Sequence, residues 1–142
     1  MLLSREPFPG EEGTTDNEGD TQMATILVVD DQEPIRALLR DALEGDGHKV
    51  LEAANGRLGL ELYRKRSADL IITDMVMPEM NGLDMLLELT RRCPNVNAIA
   101  MSGGREGKGW LNAAKLLGTR QTFQKPLDMG KLLDAVRDDL AH

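Results

Sequence analysis

Polar residues follow four of the apolar runs in this sequence, and together they could act on a phosphate group. Asp30 and Asp31 follow one run, and Asp74, Ser102 and Lys125 follow three others. Three clustered carboxylates repel one another unless a cation neutralises them, and Mg²⁺ prefers such oxygen ligands. A carboxylate beside Mg²⁺ repels a passive phosphate but can attack phosphorus. We therefore interpret Asp74 as a nucleophile, with Lys125 and Ser102 neutralising charge on the phosphoryl oxygens.

Each of these residues has an ordinary explanation when it is taken alone. Asp30 and Asp31 before a helix could simply favour the helix dipole. Asp74 before a turn could serve turn chemistry. Ser102 is followed by glycines, as in many loops, and a lysine before proline, such as Lys125, is usually solvated. The reactive interpretation therefore depends on whether the fold brings these positions together.

Five short apolar runs have the length and composition of buried β-strands. The predicted strands span residues 25–29, 48–53, 70–73, 96–101 and 119–124. Because they alternate with helical patterns, the sequence predicts an α/β fold with a doubly wound, five-stranded parallel sheet and right-handed crossovers. The carboxyl ends of parallel strands share one edge of the sheet, so all five polar residues would meet there.

The helical patterns predict which side chains face the sheet. Pro34 and Asp128 mark helix starts. The predicted buried faces are Ile35, Leu38, Leu39 and Ala42 in the first helix; Leu58, Leu62 and Tyr63 in the second; Leu83, Leu86, Leu87 and Thr90 in the third; Trp110, Ala113, Ala114 and Leu117 in the fourth; and Met129, Leu132, Leu133 and Val136 in the fifth.

Composition and charge limit the class of protein. The 142 residues suit one domain, and no apolar run approaches the length of a membrane span. The net charge of −7 is concentrated in residues 1–22, which we predict to be a disordered acidic extension. An upstream segment before a true start at Met23 is the alternative. The remaining chain is nearly neutral, so its charge does not indicate a nucleic-acid partner. The single cysteine, Cys93, excludes an internal disulfide and suits the cytoplasm.

The order and spacing of these motifs resemble the receiver domain of two-component response regulators. The resemblance rests on Val29-Asp30-Asp31, on Asp74 with Met77-Pro78 and Asn81-Gly82, on Ser102-Gly103 and on Lys125-Pro126. It covers residues 25–140, and we assign residues 23–142 to the domain. The resemblance implies the CheY-like, flavodoxin-like (βα)5 fold with strand order 2-1-3-4-5.

The resemblance also implies a role for Asp74 and its metal. Asp74 would accept a phosphoryl group from a phosphohistidine on a sensor kinase or a histidine phosphotransfer protein. Asp31 and Asp74 would ligate Mg²⁺ directly, Asp30 would do so through water, and the backbone carbonyl of Val76 would complete the protein ligands. The chain would act as a switch that catalyses its own phosphorylation and dephosphorylation, not as an enzyme on other substrates.

Further roles are implied at the fourth and fifth strands. Lys125 would pair with the phosphoryl oxygens, and Ser102 would hydrogen-bond the phosphate as a switch residue. The Lys125–Pro126 peptide bond would be cis. The family often has an aromatic switch residue, coupled to the serine, three positions before the lysine, whereas this chain has Thr122 at that switch position. Strand alternation turns Phe123 to the opposite face, where we expect it in the core.

Several alternatives concern output and chemistry. We interpret Trp110 as a packing residue, and the alternative is a substitute for the missing aromatic switch. A phosphorelay intermediate or a fragment of a longer regulator would share these motifs. A Mg²⁺-dependent phosphohydrolase is disfavoured because no second acid follows Asp74 closely and no cap is evident. A flavin-binding domain of the same topology is disfavoured because Asp30 and Asp31 would repel the flavin phosphate. We expect an unidentified downstream protein target, no DNA-binding domain and no membrane. A homodimer through the fourth helix, fifth strand and fifth helix stays open.

Overall fold

Five β-strands alternate with five α-helices in the computed structural model, which describes residues 24–103 and 107–141. The elements are β1 (Thr25–Val29), α1 (Glu33–Gly45), β2 (Lys49–Ala53), α2 (Gly56–Arg66), β3 (Leu70–Asp74), α3 (Gly82–Arg92), β4 (Ala98–Ser102), α4 (Gly107–Leu116), β5 (Gln121–Gln124) and α5 (Met129–Ala141). The predicted extension, residues 1–22, lies outside the described residues. Within them, no helix has both the length and the apolar character needed to cross a membrane.

The strands form one parallel sheet in the order β2-β1-β3-β4-β5, which confirms the predicted topology. β1 lies between β2 and β3, and Val29 is in register with Thr73. The residues that follow, Asp30 and Asp74, are therefore neighbours at the carboxyl edge of the sheet. Asp74 is in turn in register with Met101 on β4. The register alone thus brings the first and third strand ends to the fourth.

Strand side chains alternate between two apolar cores, one on each face of the sheet. On one face, Leu27 and Ile71 pack with buried residues of α2, α3 and α4. On the other face, Ile26 and Ile72 pack with buried residues of α1 and α5. The central strand β3 is buried along its whole length. Helices therefore cover both faces, as the continuous apolar runs predict.

Side-chain caps fix the starts of three helices near the carboxyl edge of the sheet. The Asn55 and Asn81 side chains accept hydrogen bonds from the backbone N–H groups of Leu58 (2.9 Å) and Asp84 (2.8 Å). Asp128 accepts one from the N–H of Lys131 at 3.1 Å, which confirms its predicted role. These caps satisfy backbone donors that a helix leaves unpaired at its start.

The predicted helix faces are wrong at three leucines. Leu38, Leu58 and Leu87 are each close to half exposed. The residues buried in α1, α2 and α3 instead include Leu43, Leu60, Met85 and Leu89. A helix resting on a sheet buries only a narrow stripe, and spacing of three or four residues does not decide which edge of an apolar stripe faces inward.

Several strand boundaries also differ from the predictions. β2 begins at Lys49 instead of residue 48, β4 runs from Ala98 to Ser102 instead of 96–101, and β5 begins at Gln121 instead of residue 119. Ser102 is consequently the last residue of its strand. The Val96 side chain, at the predicted early end of the fourth strand, still packs against the core on the α2–α4 side.

Candidate functional site

The carboxyl edge of the sheet brings the three predicted carboxylates together. Asp30 follows β1, Asp31 follows it on the path to α1, and Asp74 ends β3. One carboxylate oxygen from each of the three residues lies within 4.8 Å of the other two. Asp30 and Asp74 are buried and Asp31 is exposed. This set of hard oxygen donors is the type that suits a divalent cation with water completing its shell.

Lys125 reaches into this cluster from the end of β5. Its Nζ atom lies 2.9 Å from Asp30 Oδ2 and 3.5 Å from Asp74 Oδ1. It also donates a longer hydrogen bond, 3.4 Å, to the Gln32 side-chain oxygen. The Lys125 backbone N–H donates to the Ser102 carbonyl at 2.8 Å, so pairing with β4 fixes the backbone position from which the lysine side chain extends. One ammonium group therefore serves as counter-ion to two buried carboxylates.

Asp30 is held at each of its polar atoms. Its backbone N–H donates to the Ala53 carbonyl at 3.1 Å, and its backbone carbonyl accepts from Arg36 Nη1 at 2.8 Å. In the side chain, Oδ1 accepts from the Gln32 N–H at 2.9 Å, and Oδ2 accepts from Lys125. Buried polar groups need such partners, and here the partners also fix the direction of the carboxylate.

Burial raises the pKa of Asp74 to about 6. The neighbouring ammonium of Lys125 lowers this pKa, while the charges of Asp30 and Asp31 raise it further. For Lys125, burial alone would lower the pKa, but the hydrogen bond to Asp30 and the charge of Asp74 outweigh burial and raise it. Asp74 is consequently still largely ionised at neutral pH and available as a nucleophile.

The main chain around Asp74 is fixed by close packing with the next helix. The Thr73 hydroxyl donates to the Asp74 carbonyl at 2.9 Å. Gly82, at the start of α3, approaches that carbonyl so closely that a Cβ atom there would overlap it, and its N–H donates to the Met75 carbonyl at 3.1 Å. The Asn81-Gly82 pair therefore permits a tight return of the chain behind Asp74.

An open cavity of about 580 Å³ gives access to Asp74. Its lining residues are Asp31, Gln32, Asp74, Val76, Ser102, Gly103, Lys125 and Pro126. Val76 lies at the cavity with its side chain half exposed. The Lys125–Pro126 peptide bond beside it is cis, as the resemblance implies.

Ser102 lines the cavity from the carboxyl end of β4. The residue is buried, and its Oγ atom has no hydrogen-bond partner among the residues that the structure describes. A buried hydroxyl without a partner is costly, so this group is ready to bond an oxygen that enters the cavity. Thr122 is in register with Ala100, whereas Phe123 packs, partly buried, against the core on the α1–α5 side, which is the face predicted for it. Trp110 packs, partly buried, against the other core.

The response regulator receiver domain model matches residues 26–137. The chain belongs to the response regulator receiver family. The match covers β1 through most of α5 and includes all the carboxylates and the lysine described above.

Individual receiver proteins resemble this chain over most of their length. Sporulation initiation phosphotransferase F of Bacillus subtilis is 35% identical over 112 residues, which are 79% of this chain and 90% of that protein. Chemotaxis protein CheY of Thermotoga maritima is 32% identical over 112 residues, 78% of this chain and 92% of that one. The crystal structure of a response regulator receiver domain protein from Clostridium thermocellum matches with a TM-score of 0.76 at 31% identity. The match covers 84% of this chain and 95% of that one.

Two residues of this receiver domain were missed by the sequence analysis. Gln32 contacts Lys125 and lines the cavity, and Arg36 holds the backbone of Asp30. A signal for Gln32 was its position directly after the two aspartates. Arg36 had no such signal, because on a helical pattern it is one polar residue among several.

Proposed function

We propose that this receiver domain is a phosphorylation switch whose phosphoacceptor is Asp74. The observation that carries the proposal is the buried Asp74 carboxylate, which opens into a cavity with Lys125 and the acidic pair beside it. The donor would be a phosphohistidine on a sensor histidine kinase or a histidine phosphotransfer protein. In support, the name of the similar B. subtilis protein describes a phosphotransferase.

The reaction is a displacement at phosphorus. An Asp74 carboxylate oxygen attacks the phosphorus, the P–N bond to the histidine breaks, and its electron pair stays on the imidazole nitrogen. Lys125 exchanges its contact with Asp30 for a phosphoryl oxygen, and the Ser102 hydroxyl donates to a second oxygen. Both contacts offset charge on the equatorial oxygens in the transition state. Attack of water on the phosphorus then breaks the bond to the Asp74 oxygen, releases inorganic phosphate and returns the carboxylate.

The acidic cluster fits Mg²⁺ as the cation of this site. Asp31 and Asp74 would hold it directly, Asp30 through water, and Val76 through its backbone carbonyl. When bound, Mg²⁺ neutralises negative charge on the phosphoryl oxygens and on the cluster. Without such a cation, Lys125 is the counter-ion that the described residues supply to Asp30 and Asp74.

The output is a change of protein surface. Movement of Ser102 toward the phosphate would shift the end of β4 and the start of α4, and so bias a two-state equilibrium that a partner reads. The partner is a downstream protein in the cytoplasm, and a homodimer through α4, β5 and α5 is one form of the output. An alternative role, favoured by the phosphotransferase relative, is to pass the phosphate onward in a relay.

Phosphorylation by a small donor tests the proposal directly. Incubation with acetyl phosphate and Mg²⁺ should add one phosphate, seen by intact-mass spectrometry and removed by hydroxylamine, as expected of an acyl phosphate. Asp74→Asn should abolish the addition, and chelation of Mg²⁺ should strongly reduce it. Asp41→Asn, an exposed carboxylate on α1, is the matched control and should be phosphorylated like the wild type. Equal labelling of Asp74→Asn and wild type would show that the assignment is wrong.

A further inference from the structure

Arg36 joins three elements at the acidic end of the site. From α1, its Nη1 atom donates to the backbone carbonyl of Asp30 at 2.8 Å. Its Nε atom donates to Glu52 Oε1 on β2 at 3.2 Å. The Arg36 side chain is only 17% exposed, so both bonds are largely shielded from water. A planar guanidinium with donors on two sides is suited to this bridging role, which a lysine could not reproduce.

Glu52 is itself fixed from a second side. Arg40, one helical turn after Arg36, donates to Glu52 Oε2 at 2.7 Å. The hydrogen bond to Arg40 lowers the pKa of Glu52, burial works against this, and Arg36 lowers it further. Glu52 is therefore ionised at neutral pH and anchors two successive turns of α1 to β2. Of the two arginines, only Arg36 extends to Asp30.

The carbonyl that Arg36 holds belongs to the peptide unit between Asp30 and Asp31. A peptide unit is planar and rigid, so a hydrogen bond to its oxygen restricts the orientation of the whole unit and of the two Cα atoms that it joins. The Asp30 N–H is held separately by the Ala53 carbonyl on β2. Arg36 thus restrains the backbone that carries two of the three carboxylates, although it lies outside the cavity lining.

We propose that Arg36 is a positioning residue that sets the divalent-cation affinity of the acidic cluster by holding the Asp30–Asp31 peptide unit from α1. This inference rests on the proposed function, because the cluster must bind a cation. Groups that orient metal ligands from behind typically change metal affinity roughly 10–100-fold when they are removed. We therefore expect Arg36→Met to raise the Mg²⁺ dissociation constant by about tenfold or more.

The sign of this effect separates positioning from simple electrostatics. Removing a positive charge near three carboxylates would, by Coulomb attraction alone, strengthen cation binding. Positioning predicts the opposite, namely weaker binding. Arg40→Met is the matched control, because it also removes one guanidinium from Glu52 but leaves the Asp30 carbonyl held. We expect its dissociation constant to stay within about threefold of the wild-type value, since no cation ligand is touched.

The experiment is a Mg²⁺ titration of the full chain by calorimetry, with unfolding in urea as the check on folding. Weaker binding in Arg36→Met, together with near-normal binding in Arg40→Met, supports the proposal. Arg36→Lys keeps the charge and is a second variant in case Arg36→Met does not fold. It should bind Mg²⁺ more weakly than Arg40→Met does, because one ammonium cannot hold both Asp30 and Glu52 in the same geometry.

Other outcomes overturn the inference. Wild-type affinity in a folded Arg36 variant would show that the contact with Asp30 does not position the cluster. Equal losses in the Arg36 and Arg40 variants would place the effect in Glu52 and the α1–β2 packing instead. Absence of Mg²⁺ binding by the wild-type protein would overturn the metal site of the proposed function itself, which is distinguishable from both.

Discussion

Asp74 should lower the stability of the metal-free protein at neutral pH, so Asp74→Asn should raise it. Burial of this carboxylate raises its pKa from 3.8 to about 6. Each unit corresponds to about 1.4 kcal/mol, so the ionised form costs roughly 3 kcal/mol of folding free energy. The Asp74 side chain is only 8% exposed, but it opens into the cavity, where water screens its charge, so roughly 3 kcal/mol is an upper value.

Because the pKa of Asp74 is raised in the folded protein, its effect on the folding free energy depends on pH. In the unfolded chain Asp74 ionises near pH 4, whereas in the folded protein it keeps its proton until about pH 6. Between these values the folded state binds more protons, so the stability contributed by Asp74 is full below pH 4 and is lost as the pH rises through 6. Asparagine does not ionise, so the variant escapes this loss. The gain from Asp74→Asn should therefore be near zero at pH 4 and approach roughly 3 kcal/mol at pH 8.

Urea unfolding in the presence of a chelator measures this difference. The transition can be followed by circular dichroism and by the fluorescence of Trp110, the only tryptophan in the sequence. Asp41→Asn is the control, since its carboxylate is 78% exposed, and its stability should stay within about 0.5 kcal/mol of wild type at each pH. A gain in Asp74→Asn that does not change with pH, or a loss of stability at pH 8, would refute the reasoning.

Two further predictions concern packing. Gly56→Ala should cost about 1–3 kcal/mol in urea unfolding, because the new Cβ would overlap the Met80 carbonyl. Gly45→Ala, where the added carbon would meet no atom from outside α1 and its flanking residues within 4 Å, should instead stabilise the protein by roughly 0.4–1 kcal/mol. Leu39→Ala should cost about 2–5 kcal/mol because Leu39 is fully buried, whereas Leu38→Ala should cost about 0.5 kcal/mol or less. Equal effects within either pair would contradict the packing described for the glycines or for α1.

The convergence of polar residues at one edge of the sheet could be predicted from the sequence. The apolar runs before Asp30 and Asp74 are too short for helices and too continuous for half-exposed strands, so they indicate a parallel sheet. Parallel strands end at a common edge, and this rule holds without knowledge of any contact. The pairing of Lys125 with Asp30 confirms the convergence.

The inward faces of the helices could not be predicted as well. Leu38 and Leu39 are equally apolar, and only the position of α1 against Val28 and Ile72 decides that Leu39 is buried. In α2, Gly59 is buried so close to Val29 that a Cβ atom there would press on it, and a hydrophobic pattern gives glycine no weight. Tertiary packing therefore selects among residues that the helical period treats as equivalent.

The contacts of long polar side chains were also beyond the sequence. Arg36 and Glu52 are sixteen positions apart and show no local pairing pattern. Their hydrogen bond forms because α1 passes β2 beside Glu52, and the path of α1 depends on the packing of the whole βαβ unit. The two missed site residues, Gln32 and Arg36, are of this kind. Their roles depend on where their long side chains extend, whereas the roles of Asp74 and Lys125 follow from their positions at strand ends.

The bond between Lys125 and Asp30 joins positions 95 residues apart in the sequence. During synthesis, β1 and β3 leave the ribosome long before the segment that carries Lys125, so an emerging chain holds the carboxylates without their counter-ion. Such a chain lacks one of the groups that would neutralise phosphoryl oxygens at Asp74. Under the proposed function, the site is therefore assembled from residues at both ends of the domain, and it is complete only after the segment that carries Lys125 has joined the sheet.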